Sequence, residues 1–76
     1  MKARKKRAIK EIVFQIEESL DGGFEAQALG FSIYTEAETV AGLKKAVRDA
    51  VECHFSEKDR PGIIRLHFVR DELIAI

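Results

Sequence analysis

A chain of 76 residues with 46% apolar and 34% charged residues makes one soluble globular domain rather than a disordered segment. No apolar run approaches the roughly 18 residues of a membrane helix, the N-terminus lacks the apolar stretch of a signal peptide, and a single cysteine, Cys53, excludes an internal disulfide. The formal net charge is zero, but Lys2, Arg4, Lys5, Lys6, Arg7 and Lys10 precede every acid, leaving a body of net charge −6 after Lys10.

Residues 1–9 therefore read as a basic arm and residues 10–76 as the folded domain. Lys2, Arg4, Lys5, Lys6 and Arg7 are the candidate phosphate contacts of the arm. No aromatic residue interleaves them, as single-strand binding would favour, so a solubilising tail is the competing reading. An acidic body repels nucleic acid and suits a basic partner.

From Lys10 the pattern alternates, with Ile12, Phe14 and Ile16 on one side and Val13, Gln15 and Glu17 on the other, which predicts a half-buried strand. Ser19, Asp21, Gly22 and Gly23 make a turn, and Phe24, Ala26 and Ala28 alternate through a second strand, giving a hairpin. The Gly-Gly pair is no phosphate cradle, because a strand rather than a helix follows it. Gly30 marks a bend. Phe31 and Ile33, alternating with Ser32 and Tyr34, predict a short third strand.

Thr39 to Phe55 carries the one sustained helical period in the chain. Val40, Leu43, Val47, Ala50, Val51 and His54 share a face, with Lys45, Arg48, Asp49 and Glu52 opposite. Thr39 is the expected N-cap, and a Thr35–Glu38 capping box is the alternative start. Pro61 and Gly62 end the polar stretch that follows. Ile63 to Val69 predicts a fourth strand, with Ile64, Leu66 and Phe68 inward and Ile63, Arg65, His67 and Val69 outward. Leu73, Ile74, Ala75 and Ile76 form an apolar tail, and Leu73, Ile74 and Ile76 are the expected contacts of a homodimer or higher oligomer. The expected fold is α+β, a two-layer β-β-β-α-β arrangement with one helix on one face of a four-stranded, mostly antiparallel sheet.

Catalytic and metal chemistry finds no assembled motif. Cys53 and His54 are adjacent on a helix, so their side chains diverge, and His67 sits on a distant strand. Cys53 reads as a small, part-buried thiol and His54 as a helix-end residue facing the last carbonyls. The acids Glu17, Glu18, Asp21 and Glu25 cluster around the hairpin loop, where charges are usually solvated. A non-enzymatic protein without cofactor or metal is expected, and a single cysteine fits a reducing cytoplasm.

The segment EIVFQIEESLDGGFEAQALGFSIYTEAETVAGLKKAVRDAVECHF, continued by RPGIIRLHFVRDELIAI, resembles the small HicB-like antitoxin domain. The likeness lies in a first strand, an acidic turn with DGGF, two further strands, a threonine-capped helix and a closing strand. It implies a reduced RNase H-type sheet without the catalytic carboxylates. It further implies binding and blocking of a small basic toxin, of double-stranded-RNA-binding-domain shape, that cleaves mRNA. Many members also carry a C-terminal DNA-binding domain, for which the seven residues after Val69 leave no room here. The proline-to-glycine turn usual before the helix is replaced by ALGFSIYTEAET.

Tyr34, Glu36 and Glu38 are the candidate partner contacts. Tyr34 is the only tyrosine, on a short strand expected at the sheet edge, and aromatic residues are enriched in interfaces. The alternatives are a nucleic-acid accessory protein acting through the arm and an orphan structural domain. Because the arm lies outside every strand and helix pattern, deletion of Met1 to Ala8 is expected to shift the thermal midpoint little. Calorimetry of the truncated chain checks this, and loss of the folding transition would make the arm structural.

Overall fold

A computed structural model describes residues 11–76, which form four strands and one helix. The basic arm and its candidate phosphate contacts lie outside the described residues. The strands are β1 (Glu11–Glu18), β2 (Phe24–Ala28), β3 (Tyr34–Ala37) and β4 (Ile63–Val69), and the helix α1 (Val40–His54) joins β3 to β4. The sheet order is β3-β2-β1-β4. β1 pairs antiparallel with β2 and β2 with β3, while β4 adds to β1 in parallel. The connection through α1 thus carries the chain from one edge of the sheet to the other. The α+β architecture with a mainly antiparallel sheet is the one the sequence predicts.

Alternation decides which side of the sheet is covered. Ile12, Phe14 and Ile16 of β1 are at most 1% exposed. Register places Ala28 beside Phe14 and Ala26 beside Ile16 on β2, and Leu66 and Phe68 beside the same two on β4. Small alanines on β2 let α1 approach closely, and Leu43, Val47 and Val51 close the core from above. Phe24 meets Phe68 edge to face at 6.3 Å across the end of β1.

The third strand is displaced from the sequence expectation. Phe31 and Ile33 do point inward, but from a loop: Ile33 is buried, and its carbonyl accepts from the Ala28 amide at 3.0 Å. Phe31 packs against the end of the helix, 5.2 Å from the Phe55 ring and 6.2 Å from His54. The ladder begins only at Tyr34 and runs through the polar residues Thr35 and Glu36. An apolar alternation therefore marked burial correctly and strand pairing incorrectly.

Local chemistry sets the boundaries. Gly22 and Gly23 both take positive φ in the β1–β2 turn, and a Cβ on Gly23 would lie 3.1 Å from the Ala37 carbonyl oxygen, so β3 can approach only glycine there. Thr39 caps α1, its Oγ1 accepting from the Gly42 amide at 3.0 Å. Thr35 lies in β3, which removes the alternative capping box. The helix face is narrower than its period suggests. Val40 is 39% exposed and His54 is exposed, with its ring 4.9 Å from Phe55. Cys53 is exposed rather than part-buried, because it lies beside the buried stripe of Leu43, Val47 and Val51.

Residues 70–76 follow β4 without entering the sheet, and Leu73 and Ile74 are 97% and 88% exposed. They are not part of this chain's own core.

Loss of the cap leaves an orphan amide in the first helical turn. Thr39→Ala is expected to cost about 1 kcal/mol, and Thr39→Ser to recover most of it. Denaturant midpoints of the two variants check the assignment.

Candidate binding face on the open side of the sheet

With α1 on one side, the odd-numbered residues of β1 and β4 face away from it. Antiparallel register adds Glu25 and Gln27 of β2 and Tyr34 and Glu36 of β3 to the same open face. Four cross-strand rows result. Glu36 lies beside Glu25, Glu25 beside Glu17, and Glu17 beside Val69. The next row runs Tyr34, Gln27, Gln15, His67, and beyond it Val13 pairs with Arg65 and Glu11 with Ile63.

The first row is unfavourable for folding. Directly opposed residues on neighbouring strands hold their Cβ atoms about 4.5–5.5 Å apart, and like charges at that spacing destabilise the sheet. Three carboxylates side by side on β3, β2 and β1 have no basic residue between them. Two of them, Glu17 and Glu25, line a shallow depression together with Gln15, Gln27 and Tyr34. The Tyr34 hydroxyl donates to Glu36 Oε1 at 3.3 Å, and Gln15 Nε2 donates to Glu17 Oε2 at 3.2 Å. Partial desolvation, then the charges of Glu25 and Glu36, and the hydrogen bond to Glu36, raise the Tyr34 hydroxyl above its ordinary pKa. A shift in that direction favours the protonated phenol, the form that donates to Glu36.

Charge is balanced at the opposite corner. Arg65 of β4 grips Glu11 of β1 through both oxygens, with Nη2 3.2 Å from Oε1 and Nε against Oε2. The hydrogen bond from Arg65, aided by its charge, holds the Glu11 carboxyl below the usual carboxylate range, and Glu11 in turn raises Arg65. Among the described residues the open face is therefore polar at one corner, where it is internally paired, and anionic at the other, where it is not.

Of the residues singled out from sequence, Tyr34 and Glu36 come together on this face. Glu38 lies in the bend before Thr39, outside the rows. Glu17 and Glu25, read from sequence as solvated charges around a loop, are instead in register with Glu36. The signal was available: both occupy positions of opposite parity to the buried rows of their strands. Cys53 and His54 sit on the helix, on the far side of the sheet from Tyr34. Among the described residues no group of three or more His, Cys, Asp or Glu is arranged to hold a metal ion, and no helix is long and apolar enough to cross a membrane.

The fold and the face define a class of small α+β domain with one sheet surface packed and the other left open and acidic. The chain belongs to the UPF0150 family. It is 52% identical over 50 residues to a UPF0150 protein of Archaeoglobus fulgidus, covering 66% of this chain and 74% of that protein. It is 42% identical over 67 residues to a UPF0150 protein of Thermotoga maritima, covering 88% of this chain and 94% of the other. No family model matches the chain, and no solved structure matches it.

Tyr34 is the only tyrosine in a chain without tryptophan, so its ionisation is read without interference. Near-ultraviolet titration is expected to place its midpoint above the ordinary value of 10.0. Glu25→Gln should lower that midpoint by removing one of its causes. The Arg65–Glu11 pair gives a second test. Because the Glu11 pKa is depressed in the fold, its contribution is present above the ordinary carboxylate pKa and is lost as pH falls through the lowered value. Arg65→Gln is therefore expected to flatten the acid limb of stability against pH, measured by denaturant unfolding.

Proposed function

We propose that this protein is a non-enzymatic binding module of the HicB antitoxin kind, which neutralises a small basic mRNA-cleaving protein by covering its active surface. The observation that carries this reading is the in-register row Glu17, Glu25 and Glu36. Stability alone disfavours such a row, and an incoming lysine or arginine would relieve its repulsion. Carboxylates accept bidentate hydrogen bonds from arginine, and a guanidinium stacks on an aromatic ring, which Tyr34 offers beside the row. The strand order and the helix agree with the reduced sheet that the HicB resemblance implies.

The mechanism is steric and electrostatic. Surface charges of opposite sign steer the encounter, and the flat sheet face then occludes the groove through which the partner would take RNA. No cofactor or covalent step enters. A cytoplasmic setting follows from an RNA-cleaving partner and agrees with the lone free thiol.

The test has two parts. The native partner is captured on the wild-type protein and purified, and its RNA cleavage is measured with increasing antitoxin. Glu25→Lys combined with Glu36→Lys is expected to weaken inhibition at least tenfold, while Cys53→Ser with His54→Gln leaves it within twofold. Capture of an acidic partner, or equal inhibition by the charge-reversed protein, would overturn the proposal.

A further inference from the structure

The helix-covered side is not covered evenly. The main packing partners of α1 are β3 and β2, and β4 lies at the far edge of the sheet. Its inward residues are consequently left open on one flank: Ile64 and Leu66 are half-buried and Phe68 is 49% exposed. Lys44, Val47 and Arg48 of α1 wall a trough whose floor is Ile64 and Leu66. Among the described residues the outer edge of β4 has no partner strand, so the backbone groups along that edge of a seven-residue strand face outward.

The same chain carries an apolar segment without a place. Leu73 and Ile74 stand almost fully exposed just beyond β4. A return of this segment along its own strand would need a tight turn at Arg70 and Asp71. Two-residue hairpin turns need positive φ and favour Asn-Gly, Asp-Gly or a leading glycine, and residues 70–76 contain no glycine. A second copy needs no turn, because two extended strands meet antiparallel about a two-fold axis.

We propose that the trough and the free edge of β4 form the docking site for residues 72–76 of a second copy, exchanged reciprocally. A two-fold axis normal to the sheet pairs residues of equal parity and leaves both helices on one side. Since Ile64, Leu66 and Phe68 face the trough, Ile74 and Ile76 of the second copy enter it with them, while Leu73 and Ala75 fall on the open face beside His67 and Arg65. Ile74 opposite Leu66 and Ile76 opposite Ile64 centre the axis on Arg70, whose charge is met by Glu72 at 3.1 Å. Glu72, which precedes the apolar residues and shares the parity of Ile74, is complementary to Lys44 and Arg48 on the trough wall. The product is one continuous eight-stranded sheet, with the two acidic faces side by side.

Alternation of effects is the signature that distinguishes strand exchange from general stickiness. Sedimentation velocity of the full chain is expected to show a dimer at micromolar concentration. Ile74→Asp should raise the dissociation midpoint at least tenfold with the circular dichroism unchanged, and Leu73→Asp should raise it less than threefold. Leu66→Cys with Ile74→Cys, in a Cys53→Ser background, should oxidise to a covalent dimer. A wild-type monomer at high micromolar concentration, equal losses from Leu73→Asp and Ile74→Asp, or a disulfide formed within one chain would each overturn the proposal.

Discussion

One helix must serve a sheet that has two faces, and the rest of the molecule follows from that shortage. Leu43, Val47 and Val51 of α1 bury Ile12, Phe14 and Ile16 of β1 nearly completely. Among the described residues no second helix covers the other face. Full burial of a side chain such as Leu or Ile is worth about 1.5–3 kcal/mol, so these six supply much of what holds a small domain together. A domain of this length hides only about 60% of its unfolded surface. Truncation in this cluster would remove a large share of a narrow stability margin.

The uncovered face shows what the shortage leaves available. Its residues are not selected for packing, yet neither are they a random polar surface. Arg65 and Glu11 satisfy one another at one corner, whereas Glu17, Glu25 and Glu36 adjoin at the other without a cation among the described residues. Exposed ion pairs contribute little to stability, so the paired corner is no strong brace. It instead removes a cation and an anion from the electrostatics of the face, so that net negative charge concentrates near Tyr34. A phenol, two glutamines and three carboxylates line this part of the face.

Much of this was legible in the sequence because period-two patterns survive wherever one face is buried. β1 and the DGG hairpin could be read residue by residue, and so could the Thr39 cap. β3 could not. Its inward residues are Thr35 and Ala37, and it occupies a sheet edge, so its hydrophobic signal is faint beside that of the preceding loop, where Phe31 and Ile33 are held by Phe55 and the core. The acid row was hidden for a related reason. Glu17 and Glu25 are close in sequence to a turn and look like loop charges until the hairpin register is known, and Glu36 joins them only once β3 starts at Tyr34. Cys53 was misplaced because the buried stripe of α1 is narrow, and one position of rotation separates burial from solvent. The position of β4 beside β1, rather than beside β3, is a tertiary choice that no local pattern encodes.

On the proposed function, the open sheet face and not the helix receives a basic protein. Carboxylate footprinting of the purified complex tests it most directly, since both faces carry acids that a carbodiimide labels. Glu17, Glu25 and Glu36 should lose reactivity when the partner binds, while Asp49 and Glu52 on the helix keep theirs. Protection confined to the helix, with the three strand glutamates labelled as in the free protein, would contradict it.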